Sequence, residues 1–244
     1  MARVGGRPPA GQPVNAYPPA AMGEGVPGAI PFQPSLFGAE RVSFDAAFGG
    51  VERIRLDDTS WLDLAPGWVR GADLLFEEVL RARSWAQRTR HMYEGKVLEP
   101  RLTSHWSAES GEPLEPAVVD DMRRALAARY GVEFDSAGFN LYRDGADSVA
   151  WHGDRIRKQI REPVIPLVSL GEPRKFLLRP HGGGRSRAFM LGHGDLLVTG
   201  GTTQRTWQHA VPKVAHAGPR ISIAFRYDLN PTAYGEPRPG APRR

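Results

Sequence analysis

The chain has 244 residues and no cysteine, with 32 Lys plus Arg against 27 Asp plus Glu and a formal net charge of +5. This excludes disulfides and thiolate metal sites. It also makes a nucleic-acid partner plausible on charge, through attraction to phosphate. There is no run of about 18 apolar residues, so a membrane partner is not expected. Met1-Ala-Arg-Val-Gly-Gly-Arg-Pro lacks the apolar stretch of a secretory signal. The length fits one domain with tails, expected to be a monomer.

In chain order, residues 1–37 are rich in Pro, Gly and Ala, a composition that predicts a disordered tail. The folded domain is expected over 38–230, and residues 231–244 read as a second, basic disordered tail. Val51 to Leu56 suggests a short strand. Ala72 to about Ala86 reads as a helix with Leu75, Phe76, Val79 and Leu80 on one side. Residues 81–106 interleave Arg81, Arg83, Arg88, Arg90, Lys96 and Arg101 with Trp85, Tyr93 and Trp106. That mixture suits phosphate contact and base stacking, and equally suits a solvated loop anchored by aromatics. A second helix is expected from Pro116, in its first turn, to Arg129 or Tyr130, with Gly131 as its C-terminal cap. Val118, Met122, Ala125 and Leu126 form its buried stripe. Short strands follow at about 138–143, 148–153, 163–170, 174–179, 187–191, 195–199, 206–211 and 220–227. Such a succession indicates a mainly β domain, a double-sheet jelly roll or a barrel, with flanking helices.

Three side chains within this β region suit one metal. His152 and Asp154 form an H-x-D pair, which an extended strand would place on one face. His209 would join them from another strand. Two imidazoles and one carboxylate, with no thiolate, are the donor set of a facial non-haem Fe(II) site with open positions. Arg220, Ser222, Ala224 and Arg226 share one face of a later strand, and Ile221, Ile223 and Phe225 share the other. Two inward arginines on an otherwise apolar strand ask for an anion, and guanidinium suits carboxylate. Asn140 and Tyr142, also on one face, add neutral hydrogen-bonding groups for a dicarboxylate co-substrate. His181 and His193 sit among glycines and read as turn residues.

The ordered motifs resemble the AlkB family of Fe(II)- and 2-oxoglutarate-dependent dioxygenases. They are Pro100-Arg-Leu-Thr103, Asn140-Leu-Tyr142, Asp147 to Asp154, Gly192 to Gly201, His209-Ala-Val-Pro-Lys213 and Arg220 to Arg226, within a span from Trp61 to Tyr227. The resemblance implies a double-stranded β-helix with the two helices buttressing one sheet, and a nucleotide-recognition lid at about 81–106. It implies iron on His152, Asp154 and His209, and 2-oxoglutarate on Asn140, Tyr142, Arg220, Ser222 and Arg226. Ser222 stands where the family usually has Asn, and still offers one hydrogen bond.

The implied activity is oxidative demethylation of N-alkylated bases (DNA alkylation repair), with O2 as co-substrate and the base single-stranded or flipped out of a duplex. Arg101, Trp106 and Arg155 are the candidate substrate contacts. Arg155-Ile-Arg-Lys158 stands where repair members commonly carry acidic residues. It would repel a cationic base and grip phosphate, which motivates an alternative RNA or tRNA target. A non-catalytic basic nucleic-acid binder is a further alternative. A labile Fe(II) enzyme is expected in the reducing cytoplasm.

Overall fold

The computed structural model describes residues 41–227 except 93, 94, 155 and 158, together with Ile30 and Phe32. Ile30 and Phe32 fall within the expected N-terminal tail yet pack against the core, Phe32 stacked on Phe76 with ring centroids 4.1 Å apart, so the expectation of disorder does not hold at these two positions. The rest of the expected 1–37 tail, all of 231–244, Arg155, Lys158 and the side chains of Arg90, Tyr93 and Lys96 lie outside the described residues. The chain begins with β1 (Ser43–Phe44), β2 (Glu52–Arg55), β3 (Ser60–Ala65) and β4 (Val69–Arg70), followed by α1 (Ala72–Ala82). A long hairpin of β5 (Ala86–Met92) and β6 (Gly95–Ser107) leads to α2 (Ala117–Tyr130). Then come β7 (Ser136–Tyr142), β8 (Val149–His152), β9 (Ile165–Gly171), β10 (Arg174–Pro180), β11 (Arg187–Leu191) and β12 (Asp195–Gly201). One helical turn, α3 (Thr203–Thr206), precedes β13 (Trp207–Val211) and β14 (Arg220–Arg226).

The strands form an eight-stranded sheet of order β2-β3-β12-β9-β14-β7-β6-β5 and a four-stranded sheet of order β11-β10-β13-β8, with β1 and β4 paired separately. The described pairings are antiparallel. Two apolar clusters follow from the alternation of side chains. One joins Leu75, Phe76 and Val79 of α1 and Val119, Met122 and Leu126 of α2 to Ala137, Phe139, Leu141, Ile221, Ile223 and Phe225 on one face of the large sheet. The other lies between the sheets and holds Leu62, Tyr142, Phe176, Leu178, Leu191, Leu197, Trp207 and Val211. Each fully buried Leu, Val, Ile or Phe contributes about 1.5–3 kcal/mol. The helix-covered face therefore anchors β7 and β14 and frees their other face for chemistry.

The second helix and its cap match the sequence reading closely. Gly131 adopts φ 66° and its N–H donates to Ala127 O, so the helix ends where a left-handed residue is available. Pro116 sits at the N-cap, one residue before the helix, rather than in its first turn. The first helix stops at Ala82, four residues earlier than the periodicity predicts. Trp85 folds back to donate from Nε1 to Leu80 O, and Arg83 reaches Ser104 and the His105 carbonyl. These bonds turn the chain into β5. The segment 81–106 is thus the end of a helix plus a hairpin continuing the large sheet.

β3 has no clean alternation because both faces are covered, and its polar Asp63 is buried. Arg53 grips Asp63 bidentately and Tyr130 Oη donates to it at 3.0 Å.

Candidate active site

His152 ends β8 and His209 lies in β13, directly opposite it in the antiparallel ladder. Their ring centroids are 4.2 Å apart, and Phe176 of β10 stacks on His209. The ladder slips between these strands. His209 pairs with His152 and Val211 with Val149, so three residues of β13 stand opposite four of β8. The bulge lets Val149 and His152 both face inward.

Asp154 departs from the expected geometry. It lies beyond the end of β8, so strand alternation is not what brings it to His152. Its amide N–H donates to Gln204 Oε1, and Arg226 Nη2 donates to its Oδ1 at 2.9 Å. One nitrogen from each imidazole and one Asp154 oxygen all lie within 4.8 Å of one another. His152 Nδ1 lies 2.8 Å from Ala150 O, an atom that can only accept. In the neutral ring Nδ1 therefore carries the proton and Nε2 keeps its lone pair for a metal.

Electrostatics prepare the same state. Burial drives the His209 pKa down to about 4, with His152 and Arg226 adding to the effect against the pull of Asp154. Burial opposes ionisation of Asp154, yet Arg226 and the two histidines outweigh it and hold the carboxyl below its ordinary range. At neutral pH His209 is neutral and Asp154 is ionised, the forms a cation requires. A hard carboxylate, two imidazoles and no thiolate fit Fe(II).

The floor beside this cluster comes from three adjacent strands. Arg220 pairs with Tyr142 and Gly171, Ser222 with Asn140 and Ser169, and Ala224 with Gly138. Arg220 is 1% exposed; its Nε donates to Ser169 Oγ, its guanidinium lies 5.1 Å from the Tyr142 ring centre, and Nη1 has no partner among the described residues. A buried guanidinium without a counter-anion is costly, so this group fits a carboxylate ligand. Gly138 serves the other end of the strand. A Cβ there would meet Arg226 Nη1 at 2.6 Å, so glycine leaves room for Arg226 to cross the sheet toward Asp154.

Asn140 is oriented by its neighbours. Arg101 Nε donates to its Oδ1 at 2.9 Å, which fixes Nδ2 as the donor to Ser222 Oγ and leaves Nδ2 one further N–H. Arg101 is itself held by Glu99 at 2.8 Å, both largely buried.

The structure therefore brings His152, Asp154, His209, Asn140, Tyr142, Arg220, Ser222, Arg226 and Arg101 to one region. It does not bring Trp106. That ring belongs to the helix-side cluster, its Nε1 donates to Glu112 O, and Arg123 lies over it. Its strand parity, shared with Leu102, points it away from Asn140, so the expectation of base contact is corrected to a core role. Trp85 is likewise core. His193 is a turn residue as expected, accepting from Gly171 N and bonded through Nε2 to Asp73.

Glu99, Gln204, Ser169 and His105 are site neighbours that sequence reasoning did not single out. His105 pairs with Gly138, and burial, followed by Arg88, Arg226 and Arg83, lowers its pKa. The Glu-Pro-Arg spacing at 99–101 was a usable signal for the Glu99–Arg101 pair; the others carry none.

A family model described as the 2OG-Fe(II) oxygenase superfamily matches residues 69–226. The chain is 35% identical over 217 residues to the human protein named alpha-ketoglutarate-dependent dioxygenase alkB homolog 3, covering 79% of this chain and 73% of that one. The bovine protein of the same name is 35% identical over 213 residues, covering 78% and 72%. DNA oxidative demethylase ALKBH2 of Arabidopsis thaliana is 31% identical over 183 residues, covering 59% and 58%. Among solved structures, OsALKBH1 superposes with a TM-score of 0.52 at 16% identity over 72% of this chain and 99% of that one, a likeness of fold.

Proposed function

We propose, from the premise that this chain belongs to the AlkB family of 2OG-Fe(II) oxygenases, that it removes alkyl groups oxidatively from nucleic-acid bases. It is a dioxygenase that depends on Fe(II) and 2-oxoglutarate. Nucleic-acid demethylation is the coarser reading, supported by the named activities of its relatives. The finer reading is repair of alkylated DNA, with a single-stranded or flipped base as substrate. We assign a monomer and the reducing cytoplasm to the working enzyme.

In this reading His152, Asp154 and His209 hold the iron. What supports it most is that one nitrogen from each imidazole and one Asp154 oxygen lie within 4.8 Å of one another, with His209 neutral and Asp154 ionised at neutral pH. When bound, iron and 2-oxoglutarate reduce O2 with release of succinate and CO2 and oxidise the N-alkyl carbon, which departs as an aldehyde.

The remaining work is positioning. Arg226, bonded to Asp154, steadies the carboxylate ligand and marks the metal-proximal end of the co-substrate pocket. Arg220, with its unpartnered Nη1, takes the distal carboxylate beside Tyr142. Asn140, its amide set by Arg101, and Ser222 donate along the floor. The apolar wall of Phe176, Leu178 and Trp207 limits water.

The test is succinate and formaldehyde release with Fe(II) and 2-oxoglutarate over a panel of methylated DNA and RNA oligonucleotides. Formaldehyde matched to methylated DNA supports the finer reading, and higher turnover on RNA replaces DNA as the target. Succinate without substrate-linked formaldehyde overturns the demethylase assignment and retains the oxygenase.

A further inference from the structure

Arg174, on β10, is 2% exposed and belongs to neither the metal-ligand nor the co-substrate motifs. Its guanidinium makes three hydrogen bonds to main-chain carbonyls. Nη1 donates to Asp144 O at 3.1 Å, and Nη2 donates to Asp147 O at 2.9 Å and Pro212 O at 2.6 Å. Asp144 and Asp147 belong to the turn that leads into β8 and His152. Pro212 directly follows β13, which carries His209. The two loops also meet without Arg174: Val214 N donates to Gly145 O, and a Cβ on Gly145 would lie 2.4 Å from Val214 O. Arg174 therefore clips the loops behind both histidine-bearing strands.

Its charge is a separate matter. Carbonyl oxygens accept hydrogen bonds without neutralising a cation. The nearby Asp147 carboxylate is engaged bidentately by Arg143, at 2.8 Å to each oxygen. Arg174 Nε has no partner among the described residues, as is true of Arg220 Nη1. Both guanidiniums lie near the same ring, 5.7 Å and 5.1 Å from the centre of Tyr142. Two like charges buried around one phenol repel each other, and each lacks full compensation. An anion bound at Arg220 relieves both.

We propose that Arg174 is a positioning residue of the 2-oxoglutarate pocket, holding the β8 and β13 loops together and lending a second positive charge to the distal carboxylate bound by Arg220. This rests on the pocket assignment above. The charge role separates from a purely structural one by ligand choice. 2-Oxovalerate keeps the 2-oxo acid and the chain of 2-oxoglutarate but lacks the distal carboxylate, so it does not use the Arg174 charge.

The experiment compares calorimetric binding of 2-oxoglutarate and 2-oxovalerate to the full chain loaded with Mn(II), for wild type, Arg174→Met and Arg174→Lys. Arg174→Met is expected to weaken 2-oxoglutarate by roughly tenfold or more and 2-oxovalerate by less than about twofold. Arg174→Lys is expected to recover most of the preference for the dicarboxylate. Equal weakening of both ligands, or no weakening of either, overturns the proposal, as does a Lys variant no more selective than Met. Arg174→Gln, which keeps a donor for one carbonyl but no charge, takes the place of Met if Met does not fold. If wild type itself binds no 2-oxoglutarate, the pocket assignment fails rather than the role of Arg174.

Discussion

Arg226 Nη2 donates to Asp154 Oδ1 at 2.9 Å, joining the last residue of β14 to the loop after β8. This bond couples the large sheet, which carries the arginines, to the small sheet, which carries the histidines. Gly138 makes it possible. Gly138→Ala would place a methyl 2.6 Å from Arg226 Nη1, the far end of a flexible side chain. The expected result is a stability loss below about 1 kcal/mol with a clear loss of Mn(II) affinity. Thermal melts and metal titration check it, and an unchanged metal affinity would show that Arg226 does not steady Asp154.

Acid should weaken the apo protein through His209. Its folded pKa of about 4 lies below the ordinary 6.5, so between these values the unfolded chain binds more protons than the folded one. Stability from this group is then full above the ordinary value and is lost as pH falls through the window, by an amount of the order of a few kcal/mol. Urea midpoints of wild type and His209→Gln from pH 7 to 4 measure it; identical slopes would exclude His209 as the cause.

Arg220 should trade stability for binding. Arg220→Met removes a buried guanidinium with an unpartnered N–H, so the apo variant should melt at or above the wild-type temperature. 2-Oxoglutarate should raise the melting temperature of the metal-loaded wild type and not that of the variant. Melts with and without ligand decide this, and ligand protection of the variant would contradict the role given to Arg220.

Trp106→Ala should behave as a core truncation, losing about 3–5 kcal/mol, whereas Trp106→Phe should retain oligonucleotide affinity. Denaturant titration and binding to single-stranded DNA distinguish the two roles. Selective loss of binding in a stable Phe variant would restore Trp106 to the substrate side.

The arginine strand is legible in the sequence because period-two alternation is a local property, and Arg220 to Arg226 obeys it without interruption. Both helices are legible for the same kind of reason, from stripes at helical spacing. The metal ligands are legible as a set of residue types, but H-x-D on one strand is not how they meet: Asp154 lies past the strand end and Arg226 and Gln204 place it. Trp106 shows the limit most clearly. Its chemistry suits base stacking, and only its register against Ala137 reveals that it faces the helices. β3 is hidden because Asp63 interrupts its apolar pattern, and the partners that make Asp63 tolerable, Arg53 and Tyr130, are distant or on another element. Arg174 is unreadable from sequence, since all its acceptors are main-chain atoms.

The two faces of β14 have opposite duties. Ile221, Ile223 and Phe225 belong to the helix-covered core, while Arg220 and Ser222 bond across the facing floor and Arg226 reaches Asp154. Inserting or deleting one residue would exchange these sets, sending guanidiniums into the core and isoleucines into the co-substrate pocket. The seven residues are therefore fixed in number by their register, whatever their individual identities. A lineage can vary their identities one at a time, but it cannot lengthen or shorten this strand by a single step and keep either the fold or the chemistry.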